Sequence, residues 1–381
     1  MAISLPIGVR DFLPRAAARR RAIVGALMAA FERWGYARVV TPSFEYEEVF
    51  ERGGADPRQL IRFVEPTSAR VAALRPDFTP QVARLAATRL RDAPPPLRLF
   101  YQGSVLRLPR GAEPQRELVQ AGVELVGAAS PGGDVEVVSL CAEALAGAGL
   151  ARPHLDIGHS GLVRAALADA PSLERDHIRT LLGRKARAGL AALPVPARLR
   201  RRLAAVAALY GGREVLARAR RLGAAGRHAA DEVARVLDGL PPELRDGATI
   251  DLGEVRGFDY YTGVRFAFYL DGIGDPVACG GRYDGLLARF GWDAPATGFA
   301  VDVERCARSL DREGAPEPAA GGTLCVGPGR AELAASLRRA GKRAVAFDGR
   351  AAAAYGRAWG YAWVAHARRS GVRVEPLAGK E

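Results

Sequence analysis

Apolar residues first recur at helical spacing at Ile23, Leu27, Ala30, Phe31 and Trp34, predicting an amphipathic helix over residues 16–34 with Gly35 as its C-cap. A short strand follows at 36–40, stopped by Pro42, a residue that strands tolerate only at an edge or end. Further strands are predicted at 97–101, 119–126 and 154–158. From 161 to about 240 the strand signal fades. Leu-Ala-Arg repeats punctuated by Pro194, Pro196, Gly211 and Gly212 read there as an inserted helical region. Strand patterning returns at 249–252, 260–269 and 277–280. Residues 311–322 (DREGAPEPAAGG) have the composition of a linker. Beyond them strand and helix alternate at 323–326, 331–340, 343–347, 351–359 and 361–365, so a core over 1–310 is followed by a small α/β domain over 323–381. The GPGR at 327–330 is too short for a dinucleotide fingerprint and reads as a tight turn.

Composition adjusts this picture modestly. With 381 residues, 49% of them hydrophobic, the chain can bury a full core. No apolar run is long enough to span a membrane, and the N-terminus lacks the basic-then-apolar layout of a signal peptide, so a cytoplasmic location is expected. Cys141, Cys279, Cys306 and Cys325 lie far apart without a CxxC pair, which argues against zinc, redox or disulfide roles. The net charge of +13 invites a nucleic-acid reading. Yet Lys185, Lys342 and Lys380 are the only lysines, the arginines spread along helical faces, and no basic stretch interleaves with aromatics, so tRNA is not an expected partner.

Three stretches could carry chemistry. In RPDFTPQVAR (75–84), read as extended, Asp77 and Thr79 share one face. In QRELVQAGVE (115–124), read as a strand, Arg116, Leu118, Gln120, Gly122 and Glu124 form a polar stripe where a core-facing strand would be apolar. EVRGFDYYTG (254–263) combines arginine, acid, paired tyrosines and glycines. Carboxylates, an amide, hydroxyls and arginine together suit a zwitterion. Taken singly, each has a plainer reading: a cap, a solvent-facing stripe, a pair of core tyrosines. His154, His159, His177, His228 and His366 are scattered, and no GxSxG, HExxH or Walker-type motif is present, so residues alone name no catalytic group and no metal site.

In order, these stretches resemble the core of the class II histidyl-tRNA synthetases. GVRDFLP (8–14) matches the family's opening, residues 38–42 resemble motif 1, 100–127 motif 2 and GFAVDVER (298–305) motif 3; VRGFDYYT (255–262) and CGGRYDGL (279–286) resemble its two histidine-specific stretches. The resemblance implies an α+β fold with a six-stranded antiparallel sheet flanked by helices, a helical insertion, a small C-terminal α/β domain, and a homodimer. It implies that Asp77, Thr79 and Gln120 hold the ammonium of L-histidine. Glu124 and Tyr260 would bind the imidazole, Tyr261 line the pocket, and Arg107 and Arg256 face the carboxylate.

Departures from the pattern redirect the function. Where the synthetases place a glutamate that contacts adenine stands Pro109, which offers neither a side-chain acceptor nor an N–H. Where motif 3 has a glycine stands Asp302, adding bulk and repulsion beside a polyphosphate, so Arg305 is left in a vestigial nucleotide site. Asp77-Phe78-Thr79 replaces the usual Glu-Gly-Thr, and the tail is short for an anticodon-binding domain. These features resemble the regulatory-subunit branch of ATP phosphoribosyltransferase. That implies a non-catalytic subunit with no cofactor, which activates a short-form catalytic subunit and mediates feedback by histidine, its regulatory ligand. The competing expectation is a divergent histidyl-tRNA synthetase or histidine-adenylating paralogue.

Overall fold

Alternation along residues 117–126 sends side chains to two unlike faces, and the larger part of the fold is organised around that division. The computed structural model describes residues 4–108, 115–255, 260–315, 321–368 and 371–377. Pro109 and Arg256 lie outside them. Two compact units are formed, one from 1–10 with 23–312 and the other from 11–22 with 313–381.

The strands are β1 (Ala37–Arg38), β2 (Phe44–Tyr46), β3 (Arg62–Val64), β4 (Val71–Leu74), β5 (Leu97–Leu106), β6 (Glu117–Val126), β7 (His154–His159) and β8 (Tyr210–Gly211). They continue as β9 (Thr249–Asp251), β10 (Val264–Tyr269), β11 (Ala278–Arg282), β12 (Ala296–Asp302), β13 (Thr323–Val326), β14 (Ala344–Ala346), β15 (Trp363–Arg368) and β16 (Gly371–Pro376). The main sheet runs β1-β5-β6-β12-β11-β10-β7-β9-β8. Its middle six, β5 to β7 in that order, are antiparallel throughout. Six strands were expected and nine are present, because β1 adds in parallel at one edge and β9 with β8 at the other. Of the added strands, β1 and β9 fall within the stretches 36–40 and 249–252 that read as strands, whereas β8 is two residues long, too short to show a period.

One face of this sheet is apolar. Phe100, Val123, Phe299, Phe266 and Ile157, with Gly280 of β11 between the last two phenylalanines, stand in register across six strands. The part of helix α1 (Pro14–Arg33) from Ile23 onward packs on this face, with Phe31 5.8 Å from Phe100 and 5.7 Å from Phe299 between ring centroids. Helices α2 (Glu47–Arg52) and α3 (Thr79–Arg89) follow, and then α4 (Gly132–Gly147), which has no counterpart in the sequence reading. Its run VEVVSLCAEAL is apolar on most sides, and Val137, Val138, Leu140, Cys141, Ala144 and Leu145 are all buried, so no amphipathic period marks it. The inserted region holds α5 (Ser160–Ala168), α6 (Arg175–Gly183), α7 (Arg187–Ala191), α8 (Ala197–Ala207), α9 (Glu214–Arg220), α10 (Ala224–Gly239) and α11 (Pro242–Asp246), with β8 among them.

Helix α12 (Val303–Arg312) continues past the expected linker start at 311. In the second unit, the sheet β14-β13-β15-β16 carries α13 (Arg330–Arg339) and α14 (Ala352–Ala358). Cys325, Ala344 and Ala365 pack with Ala334 of α13, while Leu324, Val364 and Leu377 form a separate cluster. A Cβ on Gly356 of α14 would sit 2.3 Å from Leu377, so the helix lies close against that second cluster. The GPGR segment is a turn, closed by Arg330 N–H to Gly327 O.

Candidate functional site

The opposite face of the main sheet is built for a ligand. Reading across β6, β12, β11 and β10 in register, Gly122, Ala300, Cys279 and Ala267 form one row, and Glu124, Gly298, Gly281 and Arg265 the next. A floor of glycine, alanine and cysteine leaves space where larger side chains would fill it. A cavity of about 360 Å³ lies here, walled by Asp77, Arg107, Gln120, Tyr260, Tyr261, Arg265, Asp302 and Arg305 among others. That volume is within the range of small-molecule sites.

Segment 75–84 departs from its extended reading. Residues 75–78 bend, and α3 begins at Thr79 with Pro80 in its first turn, where proline's missing N–H costs nothing. Asp77 lines the cavity and lies beside the N–H groups of Phe78 and Thr79, while the cap position of α3 is held by Phe78 without a side-chain cap bond. Burial raises its carboxyl pKa; Arg107 and those two N–H groups oppose the rise.

Thr79 and Glu124 do not line the cavity; both are buried and bonded to each other, the Thr79 hydroxyl donating to Glu124 Oε1 at 2.7 Å. Tyr283 donates its hydroxyl to Glu124 Oε2. Burial pushes the Glu124 carboxyl up to about 8 despite these two donors. Gly298 makes the arrangement possible, since a Cβ there would lie 2.1 Å from Glu124 Oε2 and 2.3 Å from Val123 O. Tyr260 and Tyr261 precede β10, which starts at Val264 and not at 260. Their rings lie 4.3 Å apart, with Tyr260 5.9 Å from Tyr283.

The other end of the cavity is different in kind. Asp302 sits at the end of β12 directly opposite Gln120 and accepts from Arg305 N–H at 3.0 Å. Its second oxygen lies 3.4 Å from Arg305 Nε. Arg305 also donates to Pro276 O at 2.9 Å and stands 3.6 Å from Asp275. Burial raises the Asp302 carboxyl pKa, and Arg305 and Arg107 counter it. Arg107 thus acts on both Asp77 and Asp302.

The structure also brings in residues with no assigned role in the sequence reading. Tyr283 stood in plain view inside CGGRYDGL. Tyr101 could have been found from strand pairing, because it faces Gly122 in the β5–β6 register. Arg265, a buried arginine in the apolar run VRFAFY, lines the cavity; its Nε and Asp156 Oδ1 are buried without hydrogen-bond partners among the described residues. Burial pushes Asp156 up to about 7.

His159, His228 and Glu232 place three potential ligand atoms within 4.8 Å of one another. His159 Nδ1 accepts from Gly161 N–H, so Nε2 carries the ring proton and donates to Glu232 at 2.8 Å. A ring held in that tautomer has no free lone pair for a metal. The group instead caps α5 and ties α10 to β7.

The histidyl-tRNA synthetase family model matches residues 8–306. An ATP phosphoribosyltransferase regulatory subunit from Geobacter metallireducens is 43% identical over 323 residues, covering 81% of this chain and 74% of that protein. Another from Moorella thermoacetica is 42% identical over 356 residues, covering 89% of both. A crystal structure of an ATP phosphoribosyltransferase regulatory subunit/histidyl-tRNA synthetase from Bacillus halodurans has TM-score 0.79 at 32% identity, covering 91% of this chain and 92% of that one. A histidyl-tRNA synthetase from Nostoc, at 20% identity, shares the fold with TM-score 0.79 over 99% of this chain and 95% of its own. No helix among the described residues is long and apolar enough to cross a membrane. By the extent and level of identity, the chain belongs to the ATP phosphoribosyltransferase regulatory subunits, a family built on the histidyl-tRNA synthetase domain.

Proposed function

We propose that this chain is a histidine-sensing, non-catalytic subunit that binds the catalytic subunit of ATP phosphoribosyltransferase, activates it and conveys inhibition by histidine. The observation that carries the reading is the contrast between Gln120 and its strand partner Asp302. Gln120 Oε1 is buried without a hydrogen-bond partner among the described residues, and with Asp77 it offers acceptors to an ammonium. Asp302 instead holds Arg305 to itself, so the arginine that a nucleotide would need is already neutralised. Sensing needs the amino-acid end alone; adenylation needs both.

Arg107 lies near enough to both carboxylates to exchange one of them for the carboxylate of a bound amino acid. Histidine must bind the inhibited arrangement of the complex more tightly than the active one, and a coupling of about 1–3 kcal/mol is typical. The homodimer implied by the synthetase-like core belongs to this proposal as well. Calorimetric titration with histidine and then ATP tests it. Histidine binding without ATP binding is the expected result; tight ATP binding that is cooperative with histidine would restore the adenylating enzyme to first place. A second reading, residual histidine adenylation, draws on Arg107 at the cavity wall and predicts histidine-dependent pyrophosphate exchange.

A further inference from the structure

The sheet of the second unit runs β14-β13-β15-β16, so β16 (Gly371–Pro376) is an end strand and pairs, among the described residues, with β15 alone. Leu377 N–H donates to Ala362 O at 2.8 Å, which continues the β15–β16 register by one residue. Backbone groups along an antiparallel strand alternate sides. Those of Arg373 and Glu375 therefore face β15, and those of Val372, Val374 and Pro376 face outward. Pro376 thus has its missing N–H on the side that β15 does not use, where an edge strand tolerates it. An open row of N–H and C=O groups is a template for another strand.

Side chains alternate as well. Val374 is in register with Ala365, which packs under α13, so Val372 and Val374 share the α13 face. There, with Trp363 of β15 and Leu333 and Leu337 of α13, they line an apolar groove. Val372, Val374 and Trp363 are 53%, 54% and 45% exposed, high for apolar side chains on a sheet face. Arg373 and Glu375 stand on the other face, 3.0 Å apart, with Glu375 3.8 Å from His366. The strand therefore carries one charge of each sign at equal distances from Val374.

We propose that β16 pairs antiparallel with β16 of a second copy of this chain, Val374 facing Val374 across a two-fold axis. In that register Arg373 of each copy lies directly opposite Glu375 of the other, the self-complementarity an isologous contact requires. The two Val374 residues exchange both backbone bonds, and Val372 N–H meets Pro376 O, an acceptor that proline retains. Moving the axis one residue either way sets Arg373 opposite Arg373 or Glu375 opposite Glu375, and like charges in that position are destabilising. The pairing makes the two sheets continuous and brings the exposed valines of both copies together. Residues 372–376 of each copy are few beside the roughly 20–30 per side of a standard interface, so the contact is weak and concentration-dependent. It lies on the second unit and is independent of histidine sensing and of a dimer through the core.

Sedimentation velocity of the full chain over a range of concentrations tests the contact, and oxidative cross-linking tests its register. Wild type is expected to double its subunit number as concentration rises. Arg373→Glu sets glutamates opposite one another and should weaken that step about tenfold or more with an unchanged thermal midpoint. Adding Glu375→Arg to it should restore the step. Val374→Cys should form a covalent dimer under mild oxidation, since Cα atoms of an opposed hydrogen-bonded pair lie about 5.5 Å apart, within disulfide range. Val372→Cys should not, its counterpart lying roughly 13 Å away along the strand. A wild type whose size is independent of concentration overturns the proposal, as does equal association in Arg373→Glu or failure of the charge reversal to restore it. Cross-linking through Val372→Cys and not Val374→Cys overturns the register and the charge argument with it. If wild type does not self-associate and Arg373→Glu instead weakens binding of a catalytic subunit, the edge serves a different partner and the proposal falls.

Discussion

Gln120 and Asp302 are paired residues on neighbouring strands, and between them the cavity changes character. On the Gln120 side, carboxylate, amide and hydroxyl groups converge with acceptors left over. On the Asp302 side, a carboxylate and an arginine satisfy each other. The two ends share one sheet and one small-residue floor, so they differ in which side chains are already spent on partners and not in backbone. A shared fold does not by itself fix a reaction, which depends on the side chains of the site. Asp302 and Arg305 pair with each other at one end, while Gln120 Oε1 at the other end is buried without a hydrogen-bond partner among the described residues.

The contrast can be broken first at its floor. Gly298→Ala places a methyl against Glu124 Oε2 and Val123 O. Because backbone and a pinned carboxylate cannot both retreat, we expect a loss of about 1–3 kcal/mol of stability, seen in denaturant melts, and abolition of histidine binding. Next, Glu124→Ala removes the acceptor for Thr79 and Tyr283 and, under the proposed function, for the imidazole. Histidine affinity should fall by about 10–100-fold in calorimetry; unchanged affinity would show that the imidazole is held elsewhere.

A pH experiment sharpens the comparison further. Glu124 titrates at an ordinary 4.5 when unfolded and is pushed up to about 8 in the empty fold, so the folded state binds the extra proton between those values. Stability from this group is full below about pH 4.5, declines as pH rises, and is lost by about pH 8. Glu124→Gln should flatten that slope, which can reach a few kcal/mol across the window. Urea melts at pH 5 and pH 8 measure it, and an identical slope in the variant would mean that Glu124 is already ionised. The smallest effect is expected at the other end. Asp302→Gly releases Arg305, yet histidine-dependent pyrophosphate exchange should stay at background, because Pro109 offers no adenine contact. Robust exchange in that variant would show that Asp302 alone separates sensor from enzyme.

Much of this molecule was legible from sequence where a period was long enough to register. The spacing from Ile23 to Trp34 marked α1, and the alternation in 119–126 marked β6 and placed Gln120 and Glu124 on one face. Helix α4 escaped because burial on most sides erases the amphipathic contrast. Strands β1 and β9 fell inside the stretches read at 36–40 and 249–252, but β8 escaped because two residues cannot show alternation. The polar stripe of β6 identified a site but not its depth. Sequence gives the face of a strand, whereas exposure depends on what packs above it.

By itself, then, the chain determined the longer periodic elements such as α1 and β6, the identity of the family and the chemical types gathered at 77–79, 120–124 and 302–305. Those properties are local or statistical, and residue type with spacing is sufficient for them. Only the tertiary structure decided that Thr79 and Tyr283 both bind Glu124, that Asp302 occupies Arg305, and that Phe78 stacks between Arg75 and Tyr101. Thr79 and Tyr283 reach Glu124, and Phe78 reaches Tyr101, from segments far apart in the chain, whereas Asp302 with Arg305 and Phe78 with Arg75 are neighbours three residues apart whose pairing depends on what packs around them. Which donor meets which acceptor there is settled by strand register and by glycines that let backbones and side chains approach.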